Sequence, residues 1–176
     1  MSGSHTKLAE LILYISDRHE MDETFGSVRL AKSLFYADFL YYLKAGRPIT
    51  GERYIRMQNG PVPDSFMRTR DRLQLAGDLV VKTRLVMGGF TQKRPIAIRE
   101  PDLSAFTADE IAMVDYVLAQ LQGRSATDVS NLTHRFEAWQ PAKDGEEIPY
   151  ETALLSDQEP TTEDYTHARE LAASLV

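Results

Sequence analysis

Asp38 is the residue of this 176-residue chain whose position most needs a chemical explanation. It lies in a run, VRLAKSLFYADFLYYLKA, that starts at Val28 and ends at Ala45. Turned at about 100° per residue from Arg29, the run puts Leu34, Ala31, Tyr42, Phe35, Val28 and Phe39 on the opposite arc, with Leu30 and Tyr41 on its flank. Asp38 falls in the middle of that arc. A carboxylate buried there must be hydrogen-bonded or protonated, because burying it unpaired costs about 3–5 kcal/mol or more. Backbone N–H groups of the Ile49-Thr50-Gly51 loop are candidate donors, as are Tyr54 and His134. A perturbed carboxylate could also serve as a general base. No nucleophile or metal ligand accompanies it, so a structural role is the better reading.

The other groups with chemistry to offer are cations and aromatics. Arg29, Lys32, Ser33, Tyr36 and Lys44 fall in the polar stripe of the same helix. An exposed Tyr36 among Arg29, Lys32 and Arg47 is a reasonable partner contact. Arg68, Arg70 and Arg72 line one face of a later helix, and Arg68 and Arg72 join the candidate partner-binding set. Trp139 and His134 have two readings: a hot-spot pair at a partner groove, or a core tryptophan beside a histidine that donates to a buried acceptor. Gly60-Pro61-Val62 could pass for an anion-binding turn, but Pro61 lacks the N–H such a turn would use. It reads as a structural reversal after Asn59.

Familiar catalytic patterns are missing. The chain has no P-loop, no G-x-G-x-x-G fingerprint and no G-x-S-x-G elbow. With no cysteine and four scattered histidines, zinc-ligand spacing does not occur. These absences lower the odds of an enzyme and imply neither metal nor cofactor. The lack of cysteine suits the cytosol. No apolar run approaches the roughly 20 residues of a membrane span, and the N-terminus does not resemble a secretory signal, so the expectation is a cytoplasmic protein without a membrane partner.

Net charge is −6, unevenly spread. Residues 1–50 balance, residues 51–100 carry ten basic against five acidic side chains, and residues 101–176 carry four against fifteen. Such halves can face each other across the fold or stay solvated; alternatively, the basic part receives an acidic partner.

The elements that position these residues can be placed from periodicity and caps. Ser4 or Thr6 opens a first helix running to about His19, and the central helix runs from about Phe25 to Ala45, stopped by Gly46 and Pro48. Glu52 to Gln58 reads as a short extended segment. A third helix starts near Asp64 or Ser65, is anchored by Phe66, Leu73 and Ala76, and ends at Gly77. Leu79–Met87 and Phe90–Arg99 flank Gly88-Gly89 as a hairpin. Thr107-Ala-Asp-Glu110 is a capping box opening a helix to about Gln122. A short helix beginning at Ser125 or Thr127 carries Leu132, His134, Phe136 and Trp139. Pro149–Leu155 packs back through Tyr150 and Leu154, and a last helix covers Thr162–Leu175. The predicted fold class is α-rich α+β: a compact helical domain with one β-hairpin, a winged-helix-like element, and a C-terminal helix.

The order Lys32-Ser33-Leu34-Phe35-Tyr36-Ala37-Asp38, then Gly46-Arg47-Pro48-Ile49-Thr50-Gly51, then Tyr54 and Asn59-Gly60-Pro61-Val62, and later His134 with Trp139, resembles the Panacea domain, the SocA-like antitoxin family of bacteria and phages. The resemblance covers roughly Leu8 to Leu154, which divides the chain into a domain over 1–155 and a linker with a helical tail over 156–176. Within it, Asp38, Gly51, Tyr54, Asn59, Gly60, Pro61, His134 and Trp139 are the matching motif positions. It implies a protein that binds and neutralises a cognate toxin and is not an enzyme; some relatives instead hand the toxin to a cellular protease. A homodimer is also compatible. The alternative is a winged-helix-like transcriptional regulator that contacts nucleic acid through Arg68, Arg70, Arg72 and the hairpin cations Lys82, Arg84, Lys93 and Arg94.

Overall fold

The computed structural model describes residues 3–86, 88–124 and 142–154. Its elements run α1 (Gly3–Arg18), α2 (Ser27–Ala45), β1 (Tyr54–Met57), β2 (Gly60–Pro63), α3 (Phe66–Ala76), β3 (Leu79–Leu85), β4 (Thr91–Ala97), α4 (Ala108–Leu121) and β5 (Glu147–Ile148), and end in a 3-10 turn at Tyr150–Leu154. The fold is α-rich α+β, as the periodicity indicated. His134, Trp139, the short helix around them and the tail beyond Leu154 lie outside the described residues.

α2 is the axis of the molecule. Leu30, Leu34, Ala37 and Tyr41 pack into a main core with Leu8, Leu11, Ile12 and Ile15 of α1, Phe66 and Leu73 of α3, and Val114, Val117, Leu118 and Leu121 of α4. Phe35 and Phe39, on another side of the helix, build a second core with Tyr54, Ala142, Ile148 and Ala153. Asp38 lies between these two faces. A helix with cores on two sides leaves little of its circumference for water, and Arg29, Lys32 and Ser33 are buried as well.

The described residues form two hairpins where the sequence suggested one. β1 pairs antiparallel with β2 from Tyr54↔Pro63 to Met57↔Gly60, so Gln58 and Asn59 form a two-residue loop. β5 closes the other side of β1 through Tyr54↔Ile148 and Ile55↔Glu147. The resulting order is β2-β1-β5, which leaves β2 at an edge, where Pro61 and Pro63 have no ladder N–H to lose. The second sheet is the predicted hairpin, β3 with β4, in register from Leu79↔Ala97 to Leu85↔Thr91.

The helix stops and the α4 cap follow the sequence, whereas Ser4 and Thr6 fall inside α1 and Ser65 precedes α3 without a side-chain cap bond. Thr107 accepts from the Glu110 N–H while the Glu110 side chain accepts from the Thr107 N–H, a complete capping box. Gly46 and Gly77 end α2 and α3 in the left-handed region. Two expected anchors fail: Ala76 and Leu154 are exposed, and Thr69 and Ala153 take the inward places.

Gly60 is required for two reasons. Its φ is +116°, and a Cβ there would stand 3.0 Å from Cε of buried Lys32. Gly60→Ala is therefore expected to lower the unfolding free energy by about 1–3 kcal/mol, read as a lower midpoint in urea with an unchanged slope.

Candidate partner surface and the buried polar network beneath it

The network starts from the loop that leaves α2. Gly46 turns the chain, Ile49 returns to the main core, and Thr50 comes to lie over Asp38. The Thr50 N–H donates to Asp38 Oδ1 at 2.7 Å, and its hydroxyl donates to Oδ2. Tyr54, on the inward face of β1, donates to the same Oδ2 at 2.8 Å. The loop locks itself further. Glu52 N–H donates to Thr50 Oγ1 at 3.1 Å, Ser65 donates to the Glu52 carboxylate, and the Tyr150 hydroxyl donates to the Glu52 carbonyl at 2.6 Å. The rings of Phe39, Tyr42, Tyr54 and Tyr150 pack around the cluster, Tyr42 stacked on Tyr150 and Tyr54 edge-on to Phe39 and Tyr150.

Asp38 is 1% exposed. Burial pushes its carboxyl up to about 6 despite donors from Thr50, Tyr54 and the Ile49 backbone that favour the charged form. Burial, then the Asp38 charge, raises both Tyr54 and Tyr150. A carboxylate accepting from a threonine hydroxyl has the connectivity of a base and a nucleophile. Neither group meets solvent, and a base must reach its substrate. What the arrangement does in place is tie the 46–54 loop and the 3-10 turn to α2.

The stripe expected to be a partner surface is mostly interior. Arg29 is 2% exposed. It donates to Asp22 at 2.9 Å, to Thr24 at 3.0 Å and to the Leu121 carbonyl at the end of α4 at 3.3 Å, and it lies over Phe25. Lys32 is 1% exposed, and burial lowers its ammonium to about 8. Periodicity placed both cations correctly on one side of α2, but it could not show that the 22–24 loop and the β1–β2 hairpin close over that side. Tyr36 is half-buried against both cores.

Arg47 is exposed just past the far end of α2, whose axis runs roughly 24 Å from Arg29 to Ala45. It pairs with Glu110 at 2.8 Å, and Lys7 reaches the same carboxylate at 3.0 Å. Burial raises Glu110, yet the Thr107 N–H, Arg47 and Lys7 outweigh it and hold the carboxyl low. Glu10 is held low chiefly by its two bonds from Arg99, at 2.7 and 2.8 Å, which fasten α1 to the chain leaving β4. Gly51 and Asn59 are exposed, and Pro61 is buried.

Arg68 and Arg72, like Arg47, are expected partner residues that face solvent. Both project from the outer side of α3, beside Met67 and a Leu75 that is 89% exposed, and neither forms an ion pair among the described residues. Sequence reasoning missed Glu52, Ser65 and the Tyr150 hydroxyl as members of the network. Among the described residues, no group of three or more His, Asp or Glu side chains is gathered closely enough to hold a metal ion.

The family model described as "Antitoxin SocA-like, Panacea domain" matches residues 30–140, more than half of the chain. The chain belongs to this family. The match takes in α2 from Leu30 onward, both hairpins and α4, so the Asp38 network sits inside the family domain except for Tyr150. No curated protein and no solved structure matches the chain.

Proposed function

We propose that this chain is an antitoxin that neutralises a cognate toxin by direct protein–protein contact, acting by binding and not by catalysis. Membership of the SocA-like Panacea family over residues 30–140 carries this reading. The surface that fits best is the outer face of α3, where Arg68 and Arg72 flank exposed Met67 and Leu75. Arginine beside solvent-facing apolar side chains suits a partner with an acidic rim. The Asp38 network would hold that face in place from behind, since Ser65, the residue before α3, bonds to Glu52. Delivery of the bound toxin to a protease is a further use of the same contact. Among the described residues no helix is long and apolar enough to cross a membrane, and a cytoplasmic site of action fits the absence of cysteine.

The winged-helix alternative draws on the order α3–β3–β4 but has fewer free cations than the sequence suggested. Arg84 and Arg94 donate to the carbonyls of Glu23 and Glu20 in the α1–α2 loop.

The double substitution Arg68→Glu/Arg72→Glu separates the possibilities. Both side chains are exposed, so Tm should hold while affinity for the toxin encoded beside this chain falls at least about tenfold. Unchanged neutralisation would move the contact off α3. Salt-sensitive binding to promoter DNA, with no protein partner, would favour the regulator.

A further inference from the structure

We propose that the β3–β4 hairpin is the docking surface for this chain's own C-terminal segment, residues 155–176, which covers it intramolecularly. The hairpin offers an uncovered apolar tip with cations behind it. Leu85 and Phe90 are 75% and 74% exposed, and Lys93, which pairs with Thr83, faces solvent on the same side of the hairpin as Leu85. Between residues 79 and 99 there are five basic side chains and not one acidic.

The hairpin is also a fixed mount. Arg84 donates to the Glu23 carbonyl at 2.6 Å, and Gln92 donates to the carbonyls of Glu23 and Phe25 at 3.1 and 3.3 Å. Ser27 at the start of α2 donates to the Lys93 carbonyl at 3.1 Å. A surface held this firmly loses little freedom when something lies on it, which favours binding.

The segment beyond Leu154 is the complement in charge and pattern. It carries Asp157, Glu159, Glu163, Asp164 and Glu170 against Arg169 alone. Tyr165, Ala168, Leu171, Ala172 and Leu175 recur at helical spacing. Reach is sufficient. The 3-10 turn that ends at Leu154 stacks Tyr150 on Tyr42, and the hairpin is tied to α2 at Ser27, about 23 Å back along the axis. Residues 155–164 can extend over as much as about 33–36 Å, so Tyr165 arrives at the hairpin with slack. A tethered acidic segment has a high effective concentration there. Nucleic acid or an anionic membrane would have to approach a protein whose net charge is −6.

The full chain has no cysteine, so two can be added cleanly. Spin labels at Thr91→Cys, an exposed site near the tip, and Ala172→Cys report the distance between hairpin and tail. The expected result is a short-distance population that survives dilution with unlabelled chain. It should vanish in Lys93→Glu and equally in Leu171→Ser/Leu175→Ser, the second of which leaves the hairpin untouched. Only long distances, a short population indifferent to both sets of changes, or one that disappears on dilution because a second copy supplies the tail would overturn the proposal.

Discussion

Asp38→Ala is expected to lower the unfolding free energy by about 3–5 kcal/mol at neutral pH, on the order of 10 °C in Tm for a chain of this size. Three donors, the Thr50 N–H and the hydroxyls of Thr50 and Tyr54, would lose their acceptor inside the protein. Buried donors without partners cost about 1–3 kcal/mol each, offset in part because the charge itself is no longer desolvated. The pH dependence carries a second signature. The carboxyl of Asp38 is raised from 3.8 to about 6, so the folded state holds its proton more tightly than the unfolded chain does. The proton-linked part of its contribution, additional to the hydrogen bonds that persist at neutral pH, is fully present below pH ~4 and is lost as pH rises through about 6, by at most about 3 kcal/mol. Glu10, Asp22 and Glu110 are held low and act in the opposite sense, losing stability as pH falls. The informative quantity is therefore the difference between wild type and Asp38→Asn across pH 4–7, which should change with pH through this window. Should Asp38→Asn or Asp38→Ala keep the wild-type Tm and yet abolish neutralisation, Asp38 belongs to a functional site and the structural assignment is wrong.

Arg29→Met should be the second large effect, about 2–4 kcal/mol, because it keeps the stem's packing but removes the guanidinium from the Leu121 carbonyl and Asp22. Lysine should rescue little, since one ammonium cannot span partners on two elements as the guanidinium fork does. Asp22 supplies an independent readout. Its carboxyl is held below the usual value because bonds from Thr24 and the charge and bond of Arg29 together outweigh burial. NMR titration of Arg29→Met should find that carboxyl shifted upward. A partner-contact role for Arg29 predicts the reverse pattern: normal stability, an unmoved Asp22 and lost binding.

Much of this architecture can be read from the sequence, and the failures have physical causes. The αL glycines, the Thr107–Glu110 box and the β3–β4 hairpin are local, so nearby residues suffice to place them. The donors to Asp38 were within reach of inference too, because a buried carboxylate forces the search and Thr50 and Tyr54 lie just beyond the helix end. The β1–β2 hairpin was hidden because four-residue strands with Pro61 and Pro63 carry turn chemistry, and because β5, some ninety residues later, completes the sheet. The burial of Arg29 and Lys32 was hidden for a related reason. Helical phase gives the direction of a side chain and says nothing of the loop that covers it. Nor could the Glu52–Ser65 bond be found by pattern, as both are residue types usually met at the surface.

Growth of cells expressing the cognate toxin proposed to be encoded beside this chain, with and without the chain itself, tests the central claim most directly. The antitoxin assignment predicts restored growth and a complex that copurifies, with Arg68→Glu/Arg72→Glu folded but impaired in both. Continued growth arrest in the presence of abundant, folded wild-type chain would contradict it.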